Sequence, residues 1–260
     1  MLYIGVDLGT SAVKLLLMKE DGTIENIVSK EYPLFFPHPG WSEQKPEDWL
    51  TAVKEGIKEL TANCDKTQVA GIGAGGQMHG LVALDADDKV LRPAILWNDG
   101  RCQEETDYLN NEIGKEKLTE YTGNIAFAGF TAPKILWMRN HEPELFARIA
   151  RVMLPKDYIN YMLSGVNCTD YSDASGMLLL DVKNKCWSKP MLEICGHWYG
   201  NRRKRSLQHF AGNLRYNFHL LRYLWCRQRK CTSRICTRRR RLPSDGLHAF
   251  CCILQQVVYG

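Results

Sequence analysis

The sequence predicts an α/β domain over residues 1–196, a mixed sheet with flanking helices, followed by an irregular basic tail over 197–260. Three observations predict it. Short apolar runs at 2–6, 12–18 and 24–31, parted by turns, read as a β-hairpin continued by a third strand. Trp49, Val53, Ile57 and Leu60 recur at helical spacing and mark a helix packed on a core. The charge changes abruptly: residues 1–196 carry 20 Lys+Arg against 28 Asp+Glu, whereas 197–260 carry 14 against the single acid Asp245.

Along the chain, residues 7–11 (Asp7-Leu8-Gly9-Thr10-Ser11) form the first turn and residues 20–23 the second. Pro46 suits the first turn of a helix, and Glu47 and Asp48 suit its positive end. Residues 69–73 read as a buried strand leading into Gly75-Gly76-Gln77-Met78-His79-Gly80. Further strands are expected at 81–84, 90–91 and 94–96, and helices at 101–113, 115–122, 132–140, 143–149 and 156–163, with one more from Ser188. Residues 169–176 are small and polar.

Three stretches carry chemistry. A carboxylate at a strand end followed by Gly-Thr-Ser leaves backbone N–H groups and hydroxyls free for phosphate oxygens. Asp7 can hold Mg²⁺, a hard cation that prefers oxygen, and Lys14 can add positive charge. The alternative is an ordinary glycine turn capped by Asp. At the second stretch, Gln77 and His79 offer hydrogen-bonding groups in a glycine-rich turn beyond a strand, a place that suits polyol hydroxyls; the alternative is a structural histidine. At the third, Trp97-Asn98-Asp99-Gly100-Arg101, Asp99 can accept two hydroxyl hydrogens with Arg101 orienting it. An N-cap plus an ion pair would use Asp99 equally well.

Seven segments in order resemble the FGGY carbohydrate kinases: Gly5-Val6-Asp7-Leu8-Gly9-Thr10-Ser11, Gly40-Trp41-Ser42-Glu43-Gln44, Gly76-Gln77-Met78-His79-Gly80, the stretch 92–101, Gly129-Phe130-Thr131-Ala132-Pro133-Lys134, Leu154-Pro155-Lys156-Asp157-Tyr158 and the stretch 170–176. The resemblance implies an actin-like, ribonuclease-H-like ATPase domain that works as one of two walls of a cleft. It implies ATP and Mg²⁺ as cofactors and transfer of the γ-phosphate to a sugar hydroxyl. By position it places Asp7, Gly9, Thr10, Ser11 and Lys14 at the phosphates, with Asp7 as the metal ligand. It places Gln77, Met78, His79, Asn98, Asp99 and Arg101 at the sugar. The Gln-Met-His-Gly segment favours the branch that phosphorylates the ketose D-xylulose to xylulose 5-phosphate.

The resemblance stops near Cys195-Gly196. The family continues with a second domain that supplies the catalytic base, an Asp in a Gly-Asp-Asn segment, and a Gly-Thr-Ser-Gly turn; the tail has neither, so no catalytic base is assigned. One permitted coding of residues 207–219, read one base later, translates as CNISLGTSGTIF, which contains the missing turn. The tail is therefore expected to be an out-of-frame remnant of the second domain, and the chain a truncated, inactive kinase. Two other readings of the tail are weaker. Arg202, Arg203, Lys204, Arg205 and the run Arg238-Arg239-Arg240-Arg241 with interleaved aromatics would make a nucleic-acid arm on an acidic domain. Cys226, Cys231 and Cys236 would ligate zinc only in an unusual spacing.

No apolar run reaches the roughly 18 residues needed to cross a bilayer, and the N-terminus lacks a signal-peptide core. A cytoplasmic location is expected, with a small sugar and ATP as partners, no membrane, no nucleic acid, and an open oligomeric state that admits a homodimer.

Overall fold

The computed structural model describes residues 1–196 and the pair Asn213–Leu214. In chain order the strands and helices are β1 (Leu2–Leu8), β2 (Ala12–Lys19), β3 (Ile24–Glu31), β4 (Glu43–Gln44), α1 (Pro46–Leu60), β5 (Val69–Gly76), β6 (Val82–Leu84), β7 (Ala94–Ile95), α2 (Gln103–Asp107), α3 (Lys115–Thr122), α4 (Thr131–His141), α5 (Pro143–Arg148), β8 (Arg151–Met153), α6 (Pro155–Ser164), β9 (Cys168–Thr169), α7 (Tyr171–Ser175), β10 (Leu180–Asp181), β11 (Cys186–Trp187), α8 (Lys189–Ile194) and β12 (Asn213–Leu214). The chain divides into two units, one built on Met1–Glu31 and Thr51–Gly75, the other on Tyr32–Leu50 and the described residues from Gly76 onward.

The first unit holds a four-stranded sheet in the order β3-β2-β1-β5. β1 and β2 pair antiparallel with Leu2 opposite Lys19 and Leu8 opposite Val13. Leu2, Ile4, Val6 and Leu8 are buried, as are Val13 and the run Leu15, Leu16, Leu17 and Met18. An uninterrupted apolar run of that kind is what a strand covered on both faces requires. α1 lies close on this sheet at Gly56, where a Cβ would stand 2.4 Å from Leu15 Cδ1. Lys30 Nζ adds an exposed ion pair to Glu59 at 2.5 Å. β5 departs from expectation: it is half-exposed along most of its length, with only Ala74 buried. Among the described residues it pairs with β1, and its alanines and glycines leave little side chain to bury.

The second unit is helical with short two-stranded ladders: β4 with β7, β6 with β8, and β10 with β11. Its core gathers Leu81, Ile95, Leu118, Ile135, Leu136 and Leu178 among others, all 2% exposed or less. The helices expected at 115–122, 132–140, 143–149 and 156–163 form as α3, α4, α5 and α6, within a residue or two at each end. The helix expected over 101–113 does not form as one α-helix. Five α-helical residues are followed by a π-helical stretch, Tyr108–Gly114, which ends at Gly114 with φ 96°. Residues 169–176 contain α7, a single helical turn whose N-cap Asp170 accepts the Asp173 N–H at 2.9 Å. Asn213 and Leu214 pair in parallel with Cys168 and Thr169. Apart from that pair, the expectations of an irregular tail, a basic arm and a zinc site lie outside the described residues.

Candidate functional site

Asp7 lies inside β1, opposite Lys14, and not in the turn itself. The antiparallel ladder carries two residues further than the sequence pattern suggested, so the turn contracts to Gly9, Thr10 and Ser11. Gly9 N–H donates to the Ala12 carbonyl at 3.0 Å, and a Cβ on Gly9 would stand 2.8 Å from that same oxygen. Only glycine fits so close an approach. Thr10 is half-exposed, and Ser11 and Lys14 are exposed. Burial pushes the Asp7 carboxyl above its ordinary value, and Lys14 opposes it. A half-buried carboxylate at a strand end, beside an open hydroxyl turn, is an arrangement that gains from a bound cation.

The second turn follows β5. Gly76 has φ 125°, and His79 has φ 63°, a left-handed backbone that a non-glycine residue adopts at a cost. Met78 is 41% exposed, whereas Gln77 is buried and donates from Nε2 to Gln44 Oε1 at 3.1 Å. Close backbone approach occurs not at Gly75, which has open space, but at Gly80, where a Cβ would stand 2.8 Å from Pro155 Cγ. His79 is held on several sides. Its carbonyl accepts from Thr131 Oγ1 at 2.9 Å, its ring lies 5.0 Å from that of Phe130, and Gly176 sits against the imidazole so tightly that a Cβ there would be 2.1 Å from Cε1. Nδ1 is buried without a well-formed hydrogen bond. Burial holds the imidazole below its ordinary pKa, against Asp173, which raises it, while Lys134 lowers it further.

At the third stretch, Asn98 is exposed and Trp97 is 45% exposed, but Asp99 is 2% exposed. Asp99 accepts the Ser42 N–H at 2.6 Å and three hydrogen bonds from Arg101. The helix that follows has Cys102 at its N-cap position, so Asp99 does not cap it; the pairing with Arg101, common to both sequence readings, is formed. Arg101 also pairs with Glu43 at 2.7 Å and stacks 3.7 Å above the Trp41 ring. Asp99 and Arg101 thus anchor the loop that presents Trp97 and Asn98. A groove of about 490 Å³ runs along residues 36–42 to Asn98. The segment 129–131 touches both stretches: Thr131 bonds His79, and a Cβ on Gly129 would stand 2.8 Å from the Trp97 carbonyl oxygen.

Two buried lysines and one exposed tryptophan escaped functional assignment from the sequence. Lys134 is fully buried and donates to the carbonyls of Ala128, Gly129 and Phe130 at 2.9, 2.5 and 3.0 Å. Lys156 meets Asp157 at 2.8 Å, Asp170 at 2.7 Å and Asp173 at 3.2 Å. Both lie in segments that carry the family resemblance, which was the available signal; the partners of Lys156 are assembled only by the fold. Trp97 stands directly before Asn98.

Over 194 residues the chain is 45% identical to a xylulose kinase of Escherichia coli K12, covering 75% of this chain and 40% of that protein. A solved structure described as a xyloylose kinase from Brucella ovis superposes with a TM-score of 0.72 at 44% identity, over 75% of this chain and 41% of the other. A gluconate kinase from Lactobacillus acidophilus superposes with a TM-score of 0.71 at 31% identity, over 75% and 39%. The chain spans about two fifths of the length of the curated relatives it matches. No helix among the described residues is long and apolar enough to cross a membrane. The fold is the actin-like α/β fold of these sugar kinases, and residues 2–198 match the N-terminal domain of the FGGY family of carbohydrate kinases, to which this chain belongs.

Proposed function

We propose that residues 1–196 form the sugar- and phosphate-binding domain of an ATP-dependent ketose kinase acting on D-xylulose. One observation carries the substrate: curated relatives that match at 40–46% identity over about 190 residues are xylulose kinases. The turn at 76–80 supports the reading. A histidine held in a left-handed backbone beside an exposed methionine is a costly arrangement of the kind a ligand site retains. Trp97 and Met78 offer apolar surface for the carbon face of a sugar, and Asn98 and His79 offer polar atoms for its hydroxyls.

The turn at 9–11 would meet nucleotide phosphates, with Lys14 adding charge. Asp7 would hold Mg²⁺, which supplies charge neutralisation at the phosphate oxygens when it is bound. The described residues contain no cluster of three or more His, Cys, Asp or Glu able to hold a metal. A lone half-buried carboxylate fits a hydrated Mg²⁺ carried in with the nucleotide, a mode that needs only one or two protein carboxylates. The base that takes the hydroxyl proton is proposed to belong to the second domain of the family, with residues 197–260 its out-of-frame remnant. A cytoplasmic site of action belongs to the same proposal. Calorimetric titration of the 260-residue chain with D-xylulose and with D-gluconate tests it: saturable heat with xylulose alone is expected, and binding of gluconate alone would reassign the substrate.

A further inference from the structure

His79 adopts a strained backbone, so something other than its own preference must hold it. The surroundings form a continuous chain of contacts. Lys156 Nζ, buried at the start of α6, lies 3.2 Å from Asp173 Oδ2 and 2.7 Å from Asp170 Oδ2. Asp170 caps α7 through the Asp173 N–H, and the Asp173 carbonyl accepts the Gly176 N–H at 3.1 Å. Gly176 in turn lies against the His79 ring. On the other side Pro155, the neighbour of Lys156, packs on Gly80, the neighbour of His79. The buried ammonium therefore anchors α7 on one flank of the histidine turn, and the start of α6 packs on the other.

The electrostatics are consistent with this. Burial pushes Lys156 down, but its three carboxylates outweigh burial and leave it above the ordinary lysine value, so it stays charged. Two charged groups bear on the imidazole: Asp173 from α7, which raises its pKa, and Lys134 from α4, which lowers it. Lys134 is committed to three carbonyls, whereas Asp173 is 27% exposed at its side chain and shares Lys156 with two other acids.

We infer that Asp173, held by the buried Lys156, is a positioning residue for His79: it fixes the end of α7, where Gly176 seats the imidazole that meets the sugar. This rests on the proposal that the turn at 76–80 binds a ketose. Asp173 touches no substrate in this account and acts only through His79.

The test is an NMR titration of the 260-residue chain carrying labelled histidine, with the His79 signal identified by its loss in His79→Gln. Asp173→Asn keeps the shape and removes the charge. The His79 midpoint is expected to fall by about half a pH unit or more, while Asp181→Asn on β10 leaves it in place. Asp173→Glu, which retains the charge, is expected to bring the midpoint back toward the wild-type value. A midpoint unmoved in Asp173→Asn, or as low in Asp173→Glu as in Asp173→Asn, overturns the inference. D-xylulose added to the wild-type chain separates the two claims. A His79 signal that ignores the sugar while Asp173→Asn still lowers its midpoint would sink the ketose reading and leave the positioning role standing.

Discussion

Arg101 grips Asp99 three times: its backbone N–H and Nε each lie 2.9 Å from Asp99 Oδ1, and its Nη2 lies 2.7 Å from Oδ2. With Ser42 N–H as a fourth donor, the carboxylate has little capacity left for a ligand. Asp99→Ala should therefore act first on stability. Removing Asp99 leaves the buried Arg101 with Glu43 as its remaining acid partner, and the cost is about 3 kcal/mol, the low end for breaking a buried ion pair. Urea unfolding reads it. Unchanged stability with sugar binding lost would show instead that Asp99 serves the ligand directly.

Gly176 offers a sharper probe of the site. Its backbone, at φ −79° and ψ −6°, is one that alanine adopts freely, so Gly176→Ala adds no backbone strain. The new methyl would instead meet the His79 ring. Xylulose affinity should drop at least tenfold, with a loss of stability that His79→Ala relieves. A purely additive double mutant would mean that the ring and the glycine do not constrain each other.

Lys134 gives a pH signature. Burial lowers it from 10.5 to about 8. Between those values the unfolded chain binds more protons than the folded one, so this group makes stability rise with pH. Cys102 and Cys195 oppose it, because burial pushes each from 9.0 to about 12. Above about pH 9 the unfolded thiols lose their protons first, and their contribution to stability falls. The net rise should be confined to about pH 8–9, and Lys134→Met should flatten it. Thermal melts across that range decide the matter; a rise surviving in Lys134→Met assigns it elsewhere.

The same thiols predict an order of labelling. Cys186 is exposed and Cys64 half-buried, whereas Cys102 and Cys195 are buried with thiolates disfavoured. Iodoacetamide followed by peptide mass spectrometry should find Cys186 and Cys64 modified well before the other two. Early modification of Cys102 would contradict the packing of the second unit.

Much of this was legible in the sequence because local rules decide it. β1 to β3 alternate with turns, and α1 begins at Pro46 with Glu47 and Asp48 in its first turn. Other features depend on partners far along the chain. β5 reads as a buried strand because its residues are apolar, yet it stays half-exposed because its alanines and glycines have little side chain to cover. Asp7 reads as a turn residue two places before Gly9, yet pairing with Lys14 draws it into β1. α7 is too short and polar for a periodic signal; a cap and the Lys156 ammonium make it. The histidine turn was found from its glycines, but the left-handed backbone of His79 and the Gly176 seat appear only once α7 is folded against it.

The central claim is that the turn at 76–80 and its neighbour at 97–98 receive D-xylulose. Backbone chemical shifts of the 260-residue chain, followed as the sugar is added, test it most directly. The account predicts saturable shifts at Met78, His79, Gly80, Trp97 and Asn98 that vanish in His79→Ala. Saturable shifts elsewhere, or shifts at these residues that persist in His79→Ala, would contradict it.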